Sequence, residues 1–562
     1  MPNSVKHSET AVDNALGVGN MHIGAGGDKG PTSTTGFYNG INPPSGGYTV
    51  YMNKASGGPS IVCPANDADL ITFTENLSGE SMADVNACFT YFVGQSDKMV
   101  MHNPINGLIT DSLVLALNAS SILSYPRTGT SWKDLSGNAN NGTLVNSPTF
   151  DSNSNFHLND GGSNEERIDI PKPSQLATDQ YMTIQVLFKL NTLPTAQYGD
   201  NSPILGARIG SDYMILAYPE VNSKSHLGVS YDDSRYQSGH ESVFETEAGR
   251  WVQFTHVGIP YESGGYQRGK LMYYINGVLD RDEFISGDSN GWAIPNPFYA
   301  GYDARWGKYS DVNIATVKMY NKQLTAEEIS ANYYQGSIET GNLYYAVDAG
   351  NLVSYESGAT TAYPLTGSIN STLANGVSFN SSNNGCWSFG SGENARNTYL
   401  KAGGNPGPFD LPGWDGYTIC VWVKRTAFGT WTSGTTNYDG IWNYYWNHNL
   451  YFSGAHTGQN YIAGTGLSAY SIDMDRWYNV IMVHNNNSAS NNHKVYIDGE
   501  IQQTSTISNP SYQSGDIRQF FIGNWDSSWS MVGEIGMLQI YDKTLTDSEV
   551  SQNYNAYVNR YN

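Results

Sequence analysis

Along most of the chain, apolar residues alternate with polar ones over runs of five to nine positions, the period of a half-buried β-strand. The runs recur in two ordered sets. LVLALNAS (113–120) matches LYYAVDAG (343–350), and YMTIQVLFKL (181–190) matches YTICVWVKR (417–425) with Ile184 over Ile419. RWVQFTHVG (250–258) matches RWYNVIMVH (476–484), and KLMYYINGVLD (270–280) matches HKVYIDGEI (493–501). Last, VNIATVKMYNKQLTAEEISANYYQ (312–335) matches EIGMLQIYDKTLTDSEVSQNYNAY (534–557), with Asn332-Tyr333 over Asn553-Tyr554. Five matches in one order, with slowly drifting offsets, mark an internal duplication. The copies are placed at 108–338 and 339–562.

Each copy follows one grammar. Asn276-Gly277 and Asp498-Gly499 supply residues that tolerate positive φ, as a tight hairpin turn requires. Many strands without a repeated long helix predict an all-β fold of two packed antiparallel sheets per copy. One short helix closes each copy. Thr325 with Glu328, and Thr546 with Glu549, form capping boxes, while Leu324 and Leu545 precede them to staple against Ile329 and Val550. The helices are expected to end near Asn332 and Asn553. These Thr and Glu residues are read as structural.

Ahead of the copies, residues 37–107 read as a small mixed attachment module. Tyr48 to Met52 and Ser60 to Cys63 are strand patterns. One helix is expected after Asn66 or Asp67, carrying Leu70, Ile71 and Phe73, and another after Ser81, carrying Val85, Cys88, Phe89 and Phe92. Such a small piece is expected to dock on a partner. Residues 1–36, rich in Gly, Ser and Thr, read as an extended arm that either remains disordered or orders on a neighbour.

Composition narrows the function. The 562 residues carry 29 Lys+Arg against 51 Asp+Glu, a net charge of −22, with only 14% of residues charged. Nucleic acid is not an expected partner, because phosphate contacts need clustered cations. The polarity comes instead from Asn, Ser, Thr, 61 Gly and 40 Tyr, a surface that hydrogen-bonds without much charge. Mean hydropathy is −0.44 and no 18-residue apolar run appears, so membrane insertion is not expected. The first residues have neither a basic nor an apolar signal region, so a secretory peptide is not expected. Cys63, Cys88, Cys386 and Cys420 read as separate buried thilos of a protein matured in a reducing compartment.

No metalloprotease, serine-hydrolase, P-loop or dinucleotide motif appears in context. The histidines are scattered without metal-ligand spacing. A glycosidase would need two carboxylates across a cleft, and neither Glu165-Glu166 with Asp169 nor Glu241, Glu245 and Glu247 forms an alternating acidic strand. The chain is therefore expected not to be an enzyme, a hydrolase being the weaker alternative. Calcium is the one ion considered, because Asp200, Asp232, Asp233, Asp303, Asp311, Asp439 and Asp526 fall in or near loops. No metal ligands are assigned.

Aromatics pose the other question. The run 441–452 holds Trp442, Tyr444, Tyr445 and Trp446, and Trp525 and Trp529 lie near the end of the second copy. Such rings serve a core, a protein interface or a stacked sugar. Trp442, Tyr444, Trp446, Trp525 and Trp529 are the candidates for glycan contact. Trp251 and Trp477 recur at matching places and are assigned to the core.

The opening LVLALNASSILSYPRTGTSWKDLSGNANNGTLVNSPTF (113–150), with its W-x-D-L-S-G-N-x-N-x-G-T-L segment from Trp132 to Leu144, resembles laminin-G-like, concanavalin A-like jelly-roll domains of tailed-phage structural proteins. The closure from Tyr320 to Asn332 resembles the same domain type. The second copy keeps this closure at Tyr541, Leu545, Thr546 and Glu549 but lacks the opening motif. Residues 36–107 resemble a leader module of virion proteins from cyanobacterial phages of the contractile-tailed type. The resemblance implies two tandem concanavalin A-like jelly rolls on a virion structural protein, assembled in the host cytoplasm. Such a protein would join other virion proteins through its N-terminal region, form oligomers in the particle and decorate it or contact host-surface glycan. The alternative is a dedicated carbohydrate-binding adhesin.

Overall fold

The computed structural model describes residues 48–52, 60–62, 67–78, 81–83, 87–88, 91, 98–102, 111–121, 124–125, 127–151, 155–159, 165–176, 181–192, 204–209, 212–221, 225–231, 247–263, 266–285, 296–303, 307–381, 383, 385–390, 398–403, 409–428, 439–444, 448–453, 460–510, 520–524 and 530–561. The chain divides into two compact units, Met1–Tyr333 and Tyr334–Asn562. Each contains a jelly-roll sandwich of two antiparallel sheets, and the described residues include three α-helices.

In the first unit, Ser60–Val62, Tyr48–Met52 and Lys98–His102 form a three-stranded sheet in that order, the last strand not predicted from the sequence. Helix α1 (Asp67–Ser78) buries Leu70 and Thr74. The Ser81 hydroxyl and the Met82 N–H both donate to the Glu75 carboxylate, at 3.3 and 2.9 Å, while residues 84–86, where the Ser81 cap would close, lie outside the described residues. Helical residues follow at 87, 88 and 91, while Val85, Phe89 and Phe92 lie outside the described residues, as does Cys63.

The first sandwich packs two sheets around Trp132, Phe156, Val186, Phe188, Phe254 and Phe298. One sheet runs Val278–Ile285, Tyr266–Ile275, Trp251–Ser263, Met182–Leu190, Val312–Tyr320, Asn155–Leu158, Thr149–Asp151, with Leu113–Asn118 also on Val312–Tyr320. The second sandwich repeats this order with Met182–Leu190 replaced by Gly416–Arg425, and Val312–Tyr320 by Gly533–Tyr541. Its core gathers Tyr345, Trp387, Val421, Trp442, Phe452 and Leu538. Registers superimpose closely: Thr183 faces Tyr320 as Thr418 faces Tyr541.

The closures coincide bond for bond. Helix α2 (Ala326–Tyr334) and helix α3 (Asp547–Tyr561) lie on the outer face of these sheets. The Thr325 N–H donates to Glu328 at 2.9 Å and the Glu328 N–H to the Thr325 hydroxyl at 3.2 Å. Thr546 and Glu549 repeat this at 2.7 and 3.3 Å. The hydroxyls of Thr183 and Thr418 accept the N–H of Leu324 and Leu545, each at 3.0 Å. Gly277 and Gly499, both at positive φ, lie so near Tyr333 and Tyr554 that a Cβ would come within 2.9 Å of either ring. The hairpin turn thus rests on the closing helix.

The helices differ in length. α2 ends at Tyr334, close to expectation, but α3 runs on to Tyr561, well past Asn553. The extension is held by Arg560, whose guanidinium donates to both Asp348 oxygens at 2.6 Å, and by Tyr561, stacked on Trp422 at 4.6 Å. No helix among the described residues is long and apolar enough to cross a membrane.

Candidate functional site: an aromatic ledge and the groups behind it

Three of the aromatic candidates, Trp446, Trp525 and Trp529, lie outside the described residues. Trp442 and Tyr444 do not offer a sugar-binding face. Both are buried between the sheets, Trp442 stacked on Phe520 at 5.7 Å and Tyr444 donating to the Phe409 carbonyl at 3.1 Å. A register shift between Gly440 and Trp442 sets Ile441 and Trp442 both in the core. Such a bulge breaks the period of two from which sequence reasoning infers direction. Trp251 and Trp477 are each 4% exposed and begin equivalent strands. They stand outside the inter-sheet core, under Lys189 and Lys424, whose ammonium groups sit 5.3 and 5.1 Å from the ring centres.

The conspicuous opening motif is a structural loop. Trp132 is buried edge-on to Phe156. One Asp134 oxygen accepts the N–H groups of Ala116 and Ser136, and the other accepts the Ser136 hydroxyl and the Asn140 N–H. The second copy lacks this aspartate yet keeps the frame: Ser354 bridges Asp348 and Tyr363 as Ser124 bridges Asn118 and Lys133.

Of the calcium candidates, Asp439 is fully buried against Arg425 at 2.5 Å. Asp311 bonds His157 and Asn191 at 2.8 and 2.9 Å. Asp303 lies on a strand, and Asp200, Asp232, Asp233 and Asp526 fall outside the described residues. Among the described residues no group of three His, Cys, Asp or Glu side chains is placed to hold a metal ion. Cys88, Cys386 and Cys420 are buried, and burial pushes the Cys420 thiol up to about 12.

Two half-exposed aromatic groups emerge that the sequence did not single out. In the first sandwich Tyr302 stacks on Tyr309 at 4.5 Å and meets Tyr299 edge-on at 5.4 Å. The Arg167 guanidinium, paired to Asp169 at 2.7 Å, lies over Tyr299 and Tyr302. In the second sandwich Tyr344, 36% exposed, meets Trp414 at 4.9 Å and 56°, a V-shaped ledge backed by buried Phe409.

The ledge is fixed from behind. The Gly413 and Trp414 N–H groups return to the Asp410 carbonyl at 2.9 and 3.2 Å. Asn486 donates its side-chain N–H to the carbonyls of Leu411 and Trp414 at 2.8 and 2.7 Å, and its backbone N–H to Asp415 at 3.0 Å. Asn487 donates to the exposed Asp415 carboxylate at 2.9 Å. An aromatic held this rigidly loses little freedom when a ligand stacks on it. Asp415, next to Trp414 in the chain, supplies exposed carboxylate acceptors beside that ring. Register puts Val114, 3% exposed, at the place of Tyr344, so the ledge belongs to the second sandwich.

Behind the ledge lies a chain of buried imidazoles. His448 and His484 rings are 5.4 Å apart, and His484 and His493 rings 5.5 Å apart. His448 Nδ1 bonds the Tyr417 hydroxyl, and the Nδ1 atoms of His484 and His493 face each other at 3.4 Å. Burial, reinforced by the neighbouring imidazoles, holds His448 and His493 down at about 3, and burial also lowers His484. Residues 484 and 493 stand directly opposite on adjacent strands. That register was the missed signal: the scattered histidines of the sequence meet across a hairpin.

Residues 138–330 and 394–551, more than half of the chain, match the family described as concanavalin A-like lectin/glucanases superfamily. The chain belongs to this superfamily. Lectin-like, laminin-G-like jelly rolls are therefore its fold in both units. No curated protein sequence matches. Among solved structures, the chain is similar to domain 4 of AbnA, an extracellular GH43 arabinanase from Geobacillus stearothermophilus in complex with arabinotriose. Identity is 16%, over 40% of this chain and 98% of that one, with a TM-score of 0.27. Trypanosoma rangeli sialidase in complex with sialic acid aligns at 12% identity over 72% and 69% of the chains, TM-score 0.28. A structure of botulinum neurotoxin type C, whose cell entry is described as dependent upon interaction with two ganglioside molecules, aligns at 12% over 74% and 98%, TM-score 0.33.

Proposed function

We propose that this protein is a non-catalytic structural component of a phage virion that displays two lectin-like domains and contacts host-surface polysaccharide. The observation that carries the glycan reading is the Tyr344–Trp414 ledge: two surface rings at fixed angle, with the Asp415 carboxylate alongside. Sugars present apolar C–H faces to such rings while their hydroxyls donate to neighbouring oxygens. A net charge of −22 and the Asp415 carboxylate at the ledge favour a neutral polysaccharide over an acidic one.

The virion reading rests on the likeness of residues 113–150 and 36–107 to phage structural proteins. Residues 1–107 would fix the chain to other virion proteins, and many copies on a particle would convert weak sugar contacts into avidity. Assembly would take place in the host cytoplasm.

Full-length protein on an array of neutral and acidic bacterial polysaccharides tests the glycan reading. Trp414→Ala and Tyr344→Ala should each weaken binding about tenfold, the cost of losing one stacked ring, with the second sandwich still folded by circular dichroism. Binding untouched by both variants would refute the ledge, with the Tyr299–Tyr302–Tyr309 group next in line. Cryo-EM of assembled particles tests the virion reading, which fails if purified particles lack the chain.

A further inference from the structure

The ledge and the imidazole chain are joined by hydrogen bonds. His484 Nε2 meets the Asn509 side-chain oxygen at 3.2 Å. Asn509 donates to the Asn486 carbonyl at 2.7 Å, and Asn486 holds the carbonyls of Leu411 and Trp414. The Asn486 side-chain oxygen is buried and faces His484, so charging that ring would pull on the amide that holds the Trp414 loop. One residue pair therefore supports the Trp414 loop and borders the histidines.

The cluster works only when uncharged. In a neutral imidazole one ring nitrogen donates and the other accepts, whereas in an imidazolium both donate. The His484 and His493 Nδ1 atoms can share a proton while both rings are neutral; with both protonated, two N–H groups and two positive charges oppose each other at 3.4 Å. The groups facing the trio from the packed strands are Tyr417 from Gly416–Arg425, with Tyr444 beyond it on Asp439–Tyr444, and the backbone of residues 465 and 508. No carboxylate among the described residues acts on these imidazoles. Relief then requires the strand ends and the 486–509 contacts to separate and admit water.

We propose that the second sandwich is an acid-releasable binder: protonation of the His448–His484–His493 chain detaches Asn486 from the Trp414 loop, disorders the ledge and releases the glycan. The regulation rests on the ledge being the glycan site, but the opening itself does not. Register puts Gly258 and Leu271 of the first sandwich at the places of His484 and His493, so that sandwich has no equivalent device.

Amide hydrogen exchange on the full chain, with no sugar present, reads the opening directly. Between pH 7 and pH 5, after correction for intrinsic rates, exchange at Gly413, Trp414 and Asn486 should rise about tenfold or more, and by more than exchange at Leu176 of the first sandwich. Polysaccharide binding should fall in parallel. His484→Gln keeps a partner for Asn509 but cannot titrate, and His493→Leu installs the first sandwich's residue; either should flatten the exchange response. Exchange at 413–414 that ignores pH, or that keeps its full pH response in whichever variant folds, would overturn the proposal. Acid-dependent exchange in a chain that binds no polysaccharide at any pH would uphold the opening and sink only the glycan reading.

Discussion

The two sandwiches share a frame and differ in what they place at equivalent points of it. Both hang the closing helix on a threonine of a central strand, close it with the same capping box and rest it on a hairpin glycine. The first then spends its opening on the Asp134 loop and ends its helix after nine residues. The second omits that aspartate, runs a fifteen-residue helix, buries two ion pairs and sets imidazoles where the first has Gly258 and Leu271. Duplication preserved the parts that decide the fold. The parts that only need to be compatible with it were free to change.

Acid should separate the copies most. His448, His493 and, in the first sandwich, His256 are held near 3 by burial. A folded value below the unfolded one near 6.5 means that the unfolded chain binds more protons under pH 6.5, so stability falls as pH drops toward 3. From pH 6.5 to 4.5 the second sandwich should lose about 5 kcal/mol from His448 and His493 alone, the first about half that from His256. Urea unfolding with exchange readout for each sandwich checks this; equal slopes would break the contrast.

Arg560→Ala leaves Asp348 buried without its partner and should cost the second sandwich about 4 kcal/mol. The first sandwich should keep its unfolding midpoint. Asp134→Ala is the reciprocal experiment. It orphans the Ala116, Ser136 and Asn140 N–H groups and should cost the first sandwich about 3 kcal/mol. Smallest, Thr325→Ala and Thr546→Ala should each cost about 1 kcal/mol. The sharp point is their equality: a difference well beyond that scale would mean the closures are not equivalent.

Strand alternation, the Asn276 and Asp498 turns and the two capping boxes were legible because each is set by residues near in sequence. The direction of Trp442 was not, since one bulged residue reverses the pattern. The end of α3 was not, because Tyr561 and Arg560 are held by Trp422 and Asp348, far back in the chain. The ledge escaped for a similar reason. Trp414 looks like any loop tryptophan until Tyr344 arrives from another strand.

In each sandwich the strand that touches most neighbours comes last: Val312–Tyr320 and Gly533–Tyr541 each pair with three others. A ribosome must therefore deliver nearly the whole copy before its middle can be filled. The first sandwich can be finished while the second is still being translated, and a nascent chain cut short between residues 335 and 533 would carry one sound domain and one that lacks its keystone.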